Sequence, residues 1–240
     1  MKNLNRRQFI ASAAGVSALG LTGTLSFLPS AMAAEVRKKG YYSYKVGDDI
    51  EIISLYDGIW QKPHDENFIP GVTIDETRAA LKKAGLNDEF VPIEFAFTVV
   101  KSGGKTILID AGTGGQLAPT AGLASAGMKA AGISPGDIDT VLISHFHPDH
   151  IFGLMEKETN AQVYPDAEIL VGETEYNFWT DPGLIAKLPE GRRGLAQRIQ
   201  ATFPEWKKRQ PLHRWSGSRT RHNLDGYFRP YSRSYRFYGE

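Results

Sequence analysis

The sequence predicts an α/β layered domain. β-branched and aromatic runs with strand spacing come first, shorter apolar runs then alternate with stretches of helical spacing, and glycine-containing turns separate them. At 240 residues the chain suits one domain with a buried core. With 41% hydrophobic and 23% charged residues it reads as globular and not disordered. A net charge of +1 gives no global pull toward nucleic acid or an anionic membrane, so no nucleic-acid partner is expected. The absence of cysteine removes disulfides, zinc fingers and thiol nucleophiles, and leaves His, Asp and Glu to hold any metal.

Residues 1–33 read as a targeting segment outside the fold. Lys2, Arg6 and Arg7 give a basic start, an apolar small-residue stretch runs from Phe9 to Leu28, and Ala31-Met32-Ala33 forms a cleavage signal before Ala34. Gly15, Gly20 and Gly23 interrupt the stretch, so no stable membrane anchor is expected. Asn5-Arg6-Arg7-Gln8-Phe9-Ile10 resembles the twin-arginine signal, which exports proteins already folded. That resemblance implies the twin-arginine export machinery as a partner and a periplasmic or secreted location in a bacterium. An ordinary general-secretion peptide or an uncleaved anchor is the alternative.

Within the body, Tyr41–Val46 and Ile50–Leu55 read as strands, with Asp57-Gly58 as a turn after them. Residues 75–84 have helical spacing, with Gly85 placed to end the helix. Phe95–Lys101 and Thr106–Ile109 read as a hairpin joined through Ser102-Gly103-Gly104. Residues 117–131, rich in Ala, Leu and Gly, are expected to be helical. Thr140–Ser144 and Glu168–Val171 are short apolar strands. Helices are expected from Glu173 to Trp179 and from Arg192 to Thr202.

The chemistry lies in Ser144-His145-Phe146-His147-Pro148-Asp149-His150, directly after an apolar strand. Loops at the carboxyl ends of strands commonly hold active sites. Neutral imidazole nitrogens and carboxylate oxygens suit zinc and related divalent ions. Residues two apart on an extended segment face the same side, so His145 and His147 can grip one ion. A turn at Pro148 can aim Asp149 and His150 at a second. A surface cluster of His and Asp beside a turn is the structural alternative. Two neighbouring ions can share a hydroxide, lower the pKa of water and polarise a carbonyl or phosphoryl group.

This segment resembles the H-x-H-x-D-H signature of the metallo-β-lactamase superfamily. Thr106-Ile107-Leu108-Ile109-Asp110-Ala111-Gly112 is similar to the family's strand-Asp-x-Gly element, and Asp137-Ile138-Asp139 to its lead-in to the metal strand. Gly153-Leu154, Tyr164-Pro165-Asp166-Ala167 and the run from Glu173 to Trp179 continue the likeness, which spans about residues 41 to 208. Leu55-Tyr56-Asp57-Gly58, Pro119-Thr120 and Asn177-Phe178-Trp179 resemble exported methyl parathion hydrolase-like and lactonase-like members. The resemblance implies an αββα sandwich of which residues 34–208 supply the N-terminal half to two-thirds. It implies two divalent metal ions, zinc foremost, held by His145, His147, Asp149 and His150. Asp110 would orient the metal loop without binding metal. The implied activity is hydrolysis of an ester, lactone or phosphotriester bond in a small-molecule substrate by a metal-bound hydroxide. Asp149 would be catalytic, orienting the nucleophile as well as binding metal. An iron-dependent oxidoreductase of the same superfamily is the alternative enzyme. Phe146, Phe178 and Trp179 could line an apolar pocket or sit in the core.

The family's later elements, a G-H-T-x-G-H segment, a bridging Asp and a final His, are not found; His213 and His222 lie in unmatched contexts. Composition changes near Arg209. Residues 209–240 hold seven Arg against two acids, and no Ala, Val, Ile, Met or Lys. A basic aromatic tail is one reading. The other is a one-base frameshift near residues 207–211. Permissible codons for Phe228-Arg229-Pro230-Tyr231-Ser232-Arg233-Ser234-Tyr235, shifted by one base, spell F-G-H-T-P-G-H. On that reading the chain is an inactive or unstable remnant, with apolar sheet surface exposed.

Overall fold

The computed structural model of the chain describes residues 37–209 and 212–215, with only the backbone given for 207–209 and 212–215. Residues 1–33, where a targeting segment is expected, and residues 216–240 of the Arg-rich segment lie outside the described residues. So does His222. The rest falls into two compact units, residues 65–89 and the remainder. Among the described residues, no helix is long and apolar enough to cross a membrane.

In the smaller unit, Thr73 caps helix α1 (Ile74–Lys83). Its hydroxyl accepts from the Glu76 N–H, and the Glu76 carboxylate accepts from the Thr73 N–H at 2.9 Å, a reciprocal cap that satisfies two otherwise orphan donors. Gly85 follows the last turn at φ +71°, as its position in the sequence predicts.

The larger unit is built on one seven-stranded sheet in chain order: β1 (Tyr41–Val46), β2 (Ile50–Lys62), β3 (Val91–Ser102), β4 (Lys105–Ile109), β5 (Thr140–Ile143), β6 (Glu168–Gly172) and β7 (Leu212–Trp215). Pairing is antiparallel from β1 through β4 and parallel from β4 through β7. Helices α2 (Ala124–Ala130), α3 (Pro148–Ile151), α4 (Glu173–Thr180), α5 (Leu184–Lys187) and α6 (Glu190–Arg209) fill the crossovers. The α/β class is therefore as the sequence predicts.

Strand alternation sorts the two faces of the sheet. Ile53 and Leu55, Phe97 and Val99, Leu108, Val141 and Ile143, and Ile169 and Val171 all point into one apolar cluster. Met128 of α2 and Ile199, Phe203 and Trp206 of α6 close that cluster. The opposite face, carrying Ile52, Val100, Ile107, Leu142 and Leu170, is only half-buried. At its edge Tyr42, Tyr44 and Val46 of β1 are 40%, 48% and 43% exposed.

Two expectations need correction, and one strand is new. Asp57-Gly58 is not a turn. β2 runs straight through it, and Asp57 is the extra residue of a β-bulge between Tyr56 and Gly58. The bulge turns its carboxylate inward, where it is 1% exposed and accepts from the Thr113 N–H and hydroxyl at 2.7 Å and the Ala124 N–H at 3.0 Å. The helix expected over 117–131 is confined to Ala124–Ala130. Its first part instead bridges Ala121 to Gly58, and the Gly122 N–H donates to the Asp57 carbonyl at 2.8 Å, so its backbone bonds go to the bulge. β7 was not expected at all: its four residues lie in the Arg-rich segment and pair with β6.

Candidate metal centre

The parallel strands β4, β5 and β6 end side by side, and each delivers one piece of the site. Asp110 follows β4, Ser144 and His145 follow β5, and Glu173 to Trp179 begin α4 directly after β6. Asp110 takes a left-handed backbone, φ +58°, which a short polar side chain tolerates better than most. Its Oδ1 accepts from the Ser144 N–H at 2.8 Å, and its Oδ2 from the Ser144 hydroxyl at 2.7 Å. The same Oδ2 lies 2.8 Å from His150 Nδ1.

His147 stands at the N-cap of α3 with Pro148 at the first helical position, and its carbonyl accepts from the N–H groups of His150 and Ile151. The turn expected at Pro148 is thus one turn of helix, which folds Asp149 and His150 back over the loop. The imidazole of His145 lies 4.5 Å from that of His147 and 3.9 Å from that of His150, centroid to centroid. Two glycines permit the approach. A Cβ on Gly153 would fall 1.9 Å from the Ala111 carbonyl oxygen, and one on Gly112 would fall 2.4 Å from the Phe97 ring. Through these contacts the Asp110 loop and the His loop share backbone bonds, Ala111 N–H to His150 C=O at 2.8 Å and Gly153 N–H to Gly112 C=O at 3.0 Å.

The hydrogen bonds select tautomers. With the Ser144 proton given to Asp110, the Ser144 oxygen can accept from His145 Nδ1, 3.0 Å away. His150 Nδ1–H donates to Asp110. Held at Nδ1, each ring would present Nε2 to a metal once His150 gives up its Nε2 proton. Burial and the neighbouring His150 and His147 push His145 down to about 4, so it is neutral at pH 7. Burial also lowers His147. For His150, burial acts downward but hydrogen bonds to Asp110 and Asp149 outweigh it and lift the ring to about 9. Burial pushes Asp149 up, but the hydrogen bond from His150 and its charge prevail and hold it below the usual carboxylate range.

This donor set fits a divalent ion: two neutral imidazoles, one ionised carboxylate, and a His150 proton that metal would displace. The set is gathered but not closed. Among the described residues, no three His, Asp or Glu side chains stand around a common point as ligands do. His150 Nε2 lies 3.2 Å from Asp149 Oδ2, so these two hold one another. His213 contributes backbone pairing with Leu170 in β7, and its side chain is not described.

Of the three aromatics that could have lined a pocket, Phe146 belongs to the core, fully buried and stacked on Phe203 at 4.4 Å. Trp179 is buried with its ring edge-on to His147, 6.4 Å between centroids, and Phe178 packs edge-on against Trp179. Sequence reasoning passed over Glu175. This buried carboxylate accepts from the Phe146 N–H at 2.8 Å and from the Trp179 indole N–H at 2.7 Å. Its only signal was an acidic residue in the first turn of a helix, which is common there.

Residues 96–200 match the family model described as the Metallo-beta-lactamase superfamily. No curated protein sequence matches the chain. Among solved structures, it is similar to AidC, a dizinc quorum-quenching lactonase in complex with a product, N-hexanoyl-L-homoserine. Identity is 26% over 76% of this chain and 63% of that one, with a TM-score of 0.67. It is also similar to AbOPH, a hydrolase in the beta lactamase superfamily, at 28% identity over 75% of this chain and 62% of that one, TM-score 0.66. A probable metal-dependent hydrolase from Staphylococcus aureus shares the fold at 20% identity, TM-score 0.52, over 71% of this chain and 61% of that one. The chain spans less than two thirds of the length of each of these structures. Asp110, the His145–His150 loop and Glu175 all lie inside the residues that match the model of the Metallo-beta-lactamase superfamily.

Proposed function

We propose that the protein is a metal-dependent hydrolase of ester, lactone or phosphotriester bonds in small-molecule substrates. The observation that carries this reading is the Asp110–Ser144 network, which gathers and orients His145 and His150 at the ends of adjacent parallel strands. His145, His147, Asp149 and His150 would hold two divalent ions, zinc foremost. Bound there, such ions would lower the pKa of water and polarise the bond to be cleaved. Asp110 keeps the loop and its tautomers fixed, and Asp149 orients the nucleophile. The likeness to AidC, a dizinc lactonase, supports lactones within this class.

The test is zinc titration of the purified chain, followed by assays against an N-acyl homoserine lactone, an aryl ester and a phosphotriester. Zinc-dependent turnover of one of these, abolished by H145A with H147A, is expected. Turnover unaffected by those substitutions would sink the reading, and iron uptake with oxygen or thiol chemistry would favour the oxidoreductase. Residues 1–33 would send the folded protein through the twin-arginine route to the periplasm. R6K with R7K should then leave it in the cytoplasm, as fractionation and immunoblotting would show.

A second reading is favoured by the change of composition at Arg209 and by the F-G-H-T-P-G-H spelling in the shifted frame. On it the Arg-rich segment is out of frame, and the chain as written is an inactive remnant of such a hydrolase. Sequencing the gene past codon 205 decides between them, together with an assay of the frame-restored protein. If the encoding bases do not spell that element in another frame, the remnant reading falls.

A further inference from the structure

Glu175 is 5% exposed, and a buried carboxylate is costly to keep without a task. Both of its hydrogen bonds reach the candidate site from behind. The Phe146 N–H lies between His145 and His147, and Glu175 Oε1 accepts from it at 2.8 Å. The same oxygen accepts at 2.7 Å from the indole of Trp179, whose ring stands edge-on to His147. Meanwhile the Phe146 ring is anchored on Phe203, so Phe146 is held at its amide and at its ring. On the other side of His145, Asp110 Oδ1 takes the Ser144 N–H. Two carboxylates from two different strand ends thus each grip one peptide of the loop, flanking His145.

We propose that Glu175 is a positioning residue that sets the geometry of the His145–His147 pair, through the Phe146 amide and through the Trp179 ring against His147. The inference rests on the metal-binding reading for its consequence, but its geometry can be tested without metal. Removing the acceptor frees the peptide between the two histidines and lets the indole rotate. The side chain touches no reacting atom. Residues that orient ligands in this way typically alter metal affinity by about ten- to a hundred-fold when replaced.

The experiment compares the full chain with E175A, E175Q, W179F and, as a destabilised control, I199V. Far-UV circular dichroism checks folding. Three quantities are read: hydrogen exchange of the Phe146 amide without metal, the His147 ring resonances, and zinc affinity by chelator competition. E175A should expose the Phe146 amide to exchange, shift the His147 resonances and weaken zinc binding by about ten-fold or more. E175Q retains a carbonyl oxygen that can accept both bonds, so it should rescue most of the affinity. W179F should shift His147 while leaving the Phe146 amide protected. I199V should lower the unfolding midpoint and leave zinc affinity unchanged. Unchanged exchange and resonances in folded E175A overturn the inference, as does zinc binding within about two-fold of wild type. If E175A fails to fold, W179F with an unmoved His147 overturns it. If the wild-type chain takes up no zinc, the metal-binding reading falls, and the exchange and resonance data alone decide the role of Glu175.

Discussion

At the scale of single residues, Asp110 carries the most connections in the site. Asn at this position tolerates the same left-handed backbone. It has only one acceptor oxygen, however, so it cannot serve the Ser144 N–H, the Ser144 hydroxyl and His150 Nδ1 together. D110N should therefore weaken zinc binding by about ten- to a hundred-fold with little loss of fold, measured by chelator competition and circular dichroism. The histidines also predict how the metal-free protein responds to pH. His145 titrates near 4 when folded against an unfolded value of 6.5. The unfolded state thus binds this proton first, so the contribution of the neutral ring is complete above 6.5 and is lost as pH falls toward 4. His150 runs the other way. Raised to about 9, its contribution is present below 6.5 and is lost as pH rises through 9. Urea unfolding across pH should show metal-free stability greatest near neutrality, with the acid limb flattened in H145Q.

Among the elements, the turn after the His145–His150 loop depends on contact closer than any side chain permits. A Cβ at position 153 would fall against the Ala111 carbonyl, which is backbone and has no rotamer in which to retreat. G153A should destabilise the protein by about 1–3 kcal/mol or more by urea denaturation, because relief requires moving the Asp110 loop away from the His loop. Arg198 on α6 performs a related task farther out. Its guanidinium donates to Asn160 Oδ1 and Gln116 Oε1 at 2.8 Å, and Gln116 in turn donates to the Phe152 and Met155 carbonyls. One helix thereby ties down the loops on both sides of the site.

For the molecule as a whole, the unequal faces of the sheet matter most. Tyr44 and Val46 expose apolar surface on β1, the edge strand of the sheet among the described residues, where a sheet edge invites another chain. Y44T with V46K should reduce self-association in light scattering and leave the unfolding midpoint nearly unchanged, since exposed positions contribute little to stability. What the sequence reveals of the fold depends on range. The His145–His150 loop was readable because its spacing is local, and β4, β5 and β6 were readable because a continuous apolar run needs no partner to be recognised. Asp57-Gly58 reads as a turn because Asp-Gly usually is one; only the donors at Thr113 and Ala124, far along the chain, make Asp57 a buried bulge residue. Glu175 escaped for the same reason, its partner Phe146 being distant in sequence. β7 was hidden because an Arg-rich stretch does not resemble a strand until β6 offers it hydrogen bonds.

Asp110, the His145–His150 loop and Glu175 come from strand ends that are neighbours both in space and in order of synthesis. A ribosome that has released the chain through Thr180 has already delivered every one of these side chains. This cluster of side chains can thus begin to assemble on a nascent polypeptide, before the rest of the chain has left the ribosome.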